Sequence, residues 1–486
     1  MANQPQPATE LEYFPTLNES QLTDLKTFWQ ILNQALTPHQ QANKLKDKAT
    51  QEQADSVIKK LITSSEERGK LSKELWEWIM MDDPDVMVLK YIRAKKFKSS
   101  LDSIELLINS LKFRAERNLS QIYTENTSIL KQLKTAKAFV FGFDKSGSPI
   151  FRVNAAKHKT NDQSPSELEA FILYSMEMTR LFILPPAETV TMLVDLSGFG
   201  MSNMDWKCTS FMISTLESYY PETLNHQIIH NAPWIFQGLW KAISTMIDPV
   251  VRSKVLFTSK NEDLFKLVDK QNLFKAEGGE SEFQWAIPAN HPLEKGDPAS
   301  PSANGECDVK LSPEQEEAKI KELETRPALV AHFLSLTQLW LAASDNNSPP
   351  EKVVKILALR DLLKLILRAQ YLKMIPLIKP KTIYHYREIL KHSEPGIINF
   401  EAGSTASGAS GAEQASTNES VWRGHESARP SLLKTIELRT SLFRSTYLAS
   451  PSSSEPLPEP APSTDPLSTE EDPIEKIFSE ITRLDF

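Results

Sequence analysis

Apolar residues recur at helical spacing early in the chain. Leu22, Leu25, Trp29, Leu32 and Leu36 share one face, which predicts a short amphipathic helix. Residues 1–18 before it read as disordered, and residues 39–70 after it are polar and charged, a linker or an exposed helix. A helical unit is expected from Leu71 to Leu119. Asp83-Pro84-Asp85 opens one of its helices, with an acid as cap, proline in the first turn and a second acid near the positive end of the dipole. Val88, Leu89 and Ile92 form the buried side of that helix, and Leu101, Ile104, Ile108 and Leu111 that of the next.

From Ala138 the period shortens. Phe139 to Phe143 and Ile150 to Val153 read as strands joined by the turn Asp144-Lys145-Ser146-Gly147-Ser148-Pro149, where Gly147 can take positive φ. Ser164-Pro165-Ser166-Glu167 is a capping box for a helix to about Ile183. Strands then alternate with helices: strand Val190–Val194, helix Asp205–Ser218, strand His226–His230, helix Trp234–Ile247 and strand Lys254–Thr258. That alternation predicts an α/β fold with a mainly parallel sheet. The strands are near-continuous apolar runs, as expected when helices cover both faces.

Residues 288–311 read as a linker, and Ser312-Pro313-Glu314-Gln315 caps a second helical region. Ile474, Ile477, Phe478, Ile481 and Leu484 form the stripe of a last amphipathic helix. Its polar side mixes Glu475 and Glu480 with Lys476 and Arg483, which favours docking on protein over docking on an anionic membrane. The expected divisions are an extension over 1–70, a helical subdomain over 71–125, an α/β domain over 126–287, the linker, a helical region over 312–396, a mostly disordered stretch over 397–471 and the helix of 472–486.

A net charge of −8 argues against a general nucleic-acid binder. Cys208 and Cys307 give no disulfide framework and fit a reducing compartment. No secretory signal or membrane-spanning run is expected, so the chain reads as cytoplasmic. Nucleophile-elbow, Walker, dinucleotide, zinc-protease and paired-cysteine metal motifs are all missing from the sequence, so neither catalysis nor a metal or other cofactor is expected. Asp195, at the end of a strand, reads as a loop-capping acid.

Three features carry candidate chemistry. Lys90, Arg93, Lys95, Lys96 and Lys98 form either a solvated helix end or a phosphate contact. The segment Trp234–Ile247 is apolar nearly all round, which is usually a buried helix but also suits the wall of a lipid cavity. Glu222 and Lys254 bracket that stretch, either as a structural pair or as a grip on a polar ligand.

In order along the chain stand Val88 to Phe97, Phe143-Asp144-Lys145-Ser146-Gly147-Ser148-Pro149-Ile150, Val194-Asp195-Leu196-Ser197-Gly198, Tyr219-Tyr220-Pro221-Glu222, Ile229-His230-Asn231-Ala232-Pro233, and Asp248-Pro249 through Lys254. This ordered set resembles the CRAL-TRIO lipid-binding family, in particular its fungal phosphatidylinositol transfer proteins. The resemblance covers residues 71–285 and implies a lipid pocket enclosed by sheet and flanking helices. It implies a gating helix, with Trp234, Phe236, Leu239, Trp240, Ile243, Met246 and Ile247 as pocket or gate residues. It further implies that Lys95, Glu222 and Lys254 meet an inositol phosphate headgroup. Lys95 stands where many members have Arg, Val251 where some have a hydroxyl residue, and Met192 lies in a strand where choline-lipid binders place hydroxyls.

The resemblance implies a lipid transfer protein without covalent chemistry. It would carry phosphatidylinositol as bound ligand and meet internal membranes peripherally. A sterol, squalene or isoprenoid in the same pocket, and a lipid-regulated scaffold that recruits a protein partner through the C-terminal region, are the alternatives.

Overall fold

The computed structural model describes residues 9–37, 44–292, 294, 311–346, 348–390, 428–448 and 472–483. Before the sheet come helices α1 (Glu19–Leu36), α2 (Lys48–Leu61), α3 (Ser65–Ile79), α4 (Pro84–Ala94), α5 (Ser100–Glu116) and α6 (Thr127–Lys134). The α/β part holds β1 (Ala138–Phe143), β2 (Pro149–Asn154), α7 (Pro165–Arg180), β3 (Val190–Asp195), α8 (Trp206–Tyr219), β4 (Leu224–His230), α9 (Phe236–Met246), α10 (Pro249–Ser253), β5 (Val255–Thr258) and α11 (Asn261–Leu264). Helices α12 (Pro313–Asp345), α13 (Pro350–Ile378), α14 (Ile383–Tyr386), α15 (Ala428–Phe443) and α16 (Pro473–Thr482) follow.

The five strands lie in chain order, β1 antiparallel to β2 and the rest parallel. The predicted turn closes the first hairpin. Gly147 has φ +84°, and Asp144 Oδ1 accepts from the amides of Ser146 (2.9 Å) and Ser148 (3.0 Å). The other Asp144 oxygen accepts from Thr191 Oγ1 at 2.6 Å and Asn225 Nδ2 at 2.9 Å, which ties the hairpin to β3 and β4. Because each parallel crossover steps the same way across the sheet, the right-handed rule puts α7, α8 and α9 on one face. Ile150, Leu193 and Ile228 point to the opposite face, where they pack against Leu264, Val268 and Leu273. Arg152 lies on that face too, donating to Glu277 at 2.6 Å.

The capping boxes read from sequence form as expected, Ser164 with Glu167 at α7 and Ser312 with Gln315 at α12. Asp83 caps α4, with Pro84 in its first turn. Other expectations change. The first residues described are packed, not disordered: Phe14 stacks on Trp340 at 5.4 Å, and Glu10 accepts from the Trp340 indole at 2.6 Å. The polar stretch 39–70 contains α2 and the start of α3, with Ala54, Ile58 and Leu61 buried. A boundary at 70/71 would cut through α3, so extension and helical subdomain share one layer. Helices α12 and α13 pair with each other, and α12 lies on α1 in the same layer.

Within 397–471, expected to be mostly disordered, residues 428–443 form α15, which packs on α13 through a face that includes buried Leu432, Ile436 and Phe443. Apart from residues 444–448, the rest of that stretch, with Cys307, Leu484 and most of the linker, lies outside the described residues. The stripe of α16 docks on protein, its own chain: Ile474, Ile477, Phe478 and Ile481 are buried, and α16 packs on α12 and α13. Helix α12 is long and apolar enough to cross a membrane by length and composition, which the sequence reading did not expect. Its Leu329, Phe333, Leu336 and Trp340 lie fully buried inside the helical layer.

Two buried charge networks hold this layer. Asp85 in α4 accepts from Arg360 Nη2 of α13 at 2.7 Å, from Lys364 and from the Trp29 indole of α1 at 2.9 Å. The opposed guanidinium and ammonium hold the Asp85 carboxyl well below its usual range despite burial. Arg114 in α5 pairs with Glu74 of α3 at 3.1 Å and Glu177 of α7 at 2.7 Å. Tyr220 adds an O–H to Glu177 at 2.8 Å, so this network joins the helical layer to the α/β part. Removing one partner of a buried pair strands the other charge. Arg360→Met is expected to destabilise the fold by about 3–5 kcal/mol in urea titration; a loss under about 1 kcal/mol would show that Asp85 is satisfied without it.

Candidate functional site

Period-two alternation gives β2, β3 and β4 two different faces. Phe151, Val153, Met192, Val194, Gln227 and Ile229 point toward the helices and line a cavity of 270 Å³. From α7 come Phe171, Ile172, Ser175, Met176 and Thr179; from α8, Cys208, Thr209, Met212 and Leu216. Phe236, Leu239 and Ile243 of α9 complete the wall. Phe151, Val153, Met192 and Val194 are only half-buried, while their neighbours Ile150 and Leu193 are fully buried. Both sheet faces are covered as expected, but on this side the covering helices leave a cavity, and these residues face it.

Helix α9 is narrower in character than the sequence suggested. Phe236, Leu239, Trp240 and Ile243 form an inner stripe at i, i+3, i+4 and i+7, while Gln237, Gly238, Lys241, Ala242 and Thr245 face outward. Trp240 packs on Phe257 of β5 at 5.2 Å instead of lining the cavity. Trp234 precedes the helix and is 82% exposed. Met246 is exposed, and Ile247 is buried beyond the helix end without lining the cavity. Neither end of α9 has a side-chain cap. Its inner stripe is thus the main hold on it, through Leu196, Ile229 and neighbouring apolar groups.

Glu222 and Lys254 are brought together. Lys254 Nζ donates to Glu222 Oε2 at 3.2 Å and to the Leu224 carbonyl at 3.0 Å. Glu222 has φ +50°, a left-handed turn that precedes β4, and Lys254 caps α10 just before β5. The pair therefore sits at the N-terminal edge of the parallel strands, beside Thr223 and Leu224, which line the cavity. The pair does not itself line it. Lys95 ends α4, and among the described residues its side chain makes no ion pair or hydrogen bond, so it is not joined to the other two. Its neighbour Lys96 lies 3.7 Å from Asp248, just after α9.

The basic cluster divides. Lys90 is buried and donates to the Glu188 carbonyl at 2.7 Å, and Arg93 pairs with Glu188 at 3.4 Å, so both are structural. Asp195 caps its loop, accepting from the Ser197 amide at 2.9 Å. Sequence reasoning missed the polar groups lining the far end of the cavity, Lys137, Asn154, His158 and Asp205. Lys137 stands alone before an apolar strand, and no periodic pattern marks it.

A covered parallel sheet with an apolar cavity beneath one amphipathic helix defines a binding fold, and comparison with known proteins specifies which. The CRAL/TRIO domain matches residues 133–279. The chain is 32% identical over 336 residues to the phosphatidylinositol transfer protein CSR1 of Eremothecium gossypii, across 66% of this chain and 72% of that one. It is 36% identical over 220 residues to the CRAL-TRIO domain-containing protein C3H8.02 of Schizosaccharomyces pombe, across 44% of this chain and 49% of that one. Against the SEC14 cytosolic factor of Kluyveromyces lactis it is 27% identical over 241 residues, across 45% and 79%. The chain belongs to the CRAL-TRIO family.

Lys254 and Glu222 have side chains 24% and 31% exposed, where an ion pair adds little stability. Lys254→Ala is expected to change unfolding free energy by less than about 1 kcal/mol. A larger loss in thermal or urea unfolding would make the pair a structural brace.

Proposed function

We propose that this protein takes phosphatidylinositol from one membrane and delivers it to another, with no bond made or broken. The observation that carries this reading is the apolar cavity between the sheet and α7, α8 and α9, with a carboxylate–ammonium pair at one end. Acyl chains would lie along Val153, Val194 and Ile229, each buried methylene contributing about 0.8 kcal/mol. Lys254 would offset phosphate charge while Glu222 accepts hydrogen bonds from inositol hydroxyls. Lys95 would join them from α4. The relative named as a phosphatidylinositol transfer protein supports this choice of ligand.

The cavity volume of 270 Å³ is at the small end of ligand pockets, which run to ~1,000 Å³. A two-chain lipid therefore requires α9 to swing outward. The C-terminal edge of the parallel strands suits a membrane for that step. Met201, Met204 and Trp206, after β3, are 63%, 38% and 42% exposed, and Trp234, after β4, stands on the same edge. Lys157, Lys159 and Lys207 lie exposed beside them, a basic rim suited to anionic headgroups. This reading makes the protein cytoplasmic, with peripheral contact to internal membranes.

Mass spectrometry of lipid recovered with the full chain after incubation with mixed vesicles tests the ligand. Phosphatidylinositol is expected; a sterol, squalene or isoprenoid in its place would move the assignment to a headgroup-free ligand. Lys254→Ala should lower phosphatidylinositol transfer about tenfold, the value of one charge-assisted hydrogen bond, and unchanged transfer would remove that residue from the site. Replacing Trp206 and Trp234 together with Ala should reduce co-sedimentation with anionic vesicles several-fold, and undiminished binding would place the membrane contact elsewhere.

A further inference from the structure

The cavity has a second polar end that the headgroup reading does not use. Lys137 immediately precedes β1, and its carbonyl accepts from the Asn154 amide at 2.8 Å. It therefore lies at the C-terminal edge of β2, across the sheet from Glu222 and Lys254. The two edges are separated by the length of a six-residue strand, ~20 Å. Lys137 is 5% exposed and lines the cavity. Its ammonium donates to Gln163 Oε1 at 3.0 Å and lies 5.5 Å from the centre of the Phe171 ring. Among the described residues it has no ion-pair partner.

The carboxylate lining the same end is committed elsewhere. Asp205 Oδ2 is 3.2 Å from His158 Nε2, and its Oδ1 accepts from the Cys208 amide at 2.9 Å. Burial pushes the Lys137 ammonium down to about 8, with Lys131 adding to the shift and Asp162 and Asp205 opposing it. His158 is itself turned toward its neutral form by burial and by Lys137. An ammonium held in an apolar cavity on one neutral amide is a costly arrangement that an entering anion would relieve.

We propose that Lys137 forms an anion subsite at this end of the cavity and takes the carboxylate of a free long-chain fatty acid. The acid would lie with its chain along Val153, Val194 and Ile229, running toward the edge where Glu222 and Lys254 stand. A single chain also suits the 270 Å³ of the cavity with α9 in place. The inference rests on the cavity being a lipid site, and it adds a second ligand class to that site.

The test offers the full chain vesicles containing equal amounts of oleic acid and its methyl ester, and quantifies what is recovered with the protein. The wild type should be enriched in acid over ester about tenfold or more, as expected for a charge-assisted hydrogen bond. Lys137→Met should lose that preference while still taking up the ester, and Lys137→Arg should keep it. Equal uptake of acid and ester by the wild type overturns the subsite and leaves the lipid cavity standing; that result does not depend on whether a variant folds. A preference that survives in Lys137→Met also overturns it. Uptake of neither lipid by any form of the protein overturns the lipid cavity and the subsite together.

Discussion

The structure depends on one geometric constraint. Strands β2 to β5 are parallel and lie in chain order, so every right-handed crossover deposits its helix on the same face of the sheet. One face is then filled by short segments after β5, and Leu264, Val268 and Leu273 close over it. The other is spanned by three helices, with the cavity between them and the sheet. The half-burial of Phe151, Val153, Met192 and Val194 is the direct trace of that arrangement. The cavity is a product of connectivity, and its apolar character comes from strand residues that in a simpler sheet would be core.

The helical layer gives that sheet a fixed frame. Asp85, Arg360, Lys364 and Trp29 join α1, α4 and α13, and Arg114 with Glu74 and Glu177 reaches from α3 and α5 to α7. These are satisfied buried charges, which specify one packing more than they add net stability. They clamp α7, one wall of the cavity, to the helical layer. Another wall, α9, has an outward polar face and uncapped ends.

Much of the fold was legible because local chemistry and global packing agree. The Asp144 turn, the capping boxes at Ser164 and Ser312 and the stripe of α16 each carry residues that serve only one local geometry. The N-terminal layer was harder to read. Phe14, Ala54 and Ile58 are too sparse to make a pattern and acquire their burial from other elements, Phe14 from Trp340 and α2 from α5. In the candidate site, Glu222 and Lys254 were found from their positions flanking an apolar stretch. The split of α9 into inner and outer residues needed the sheet beneath it, since Trp234 and Trp240 look equivalent in sequence and face different surroundings. Lys137 gave no signal at all, because a single lysine before a strand looks like any solvated strand end until Phe171 and Gln163 close around it.

The weak hold on α9 has a thermal consequence. Moving it away from the sheet in water exposes Phe236, Leu239 and Ile243, and exposure of apolar surface raises the heat capacity. Closure in solution is then driven largely by water entropy and loosens on cooling. If the helix moves into a bilayer, its apolar stripe never meets water and most of that heat-capacity change vanishes. The same motion thus has two temperature dependences, steeply curved in solution and nearly flat at a membrane surface.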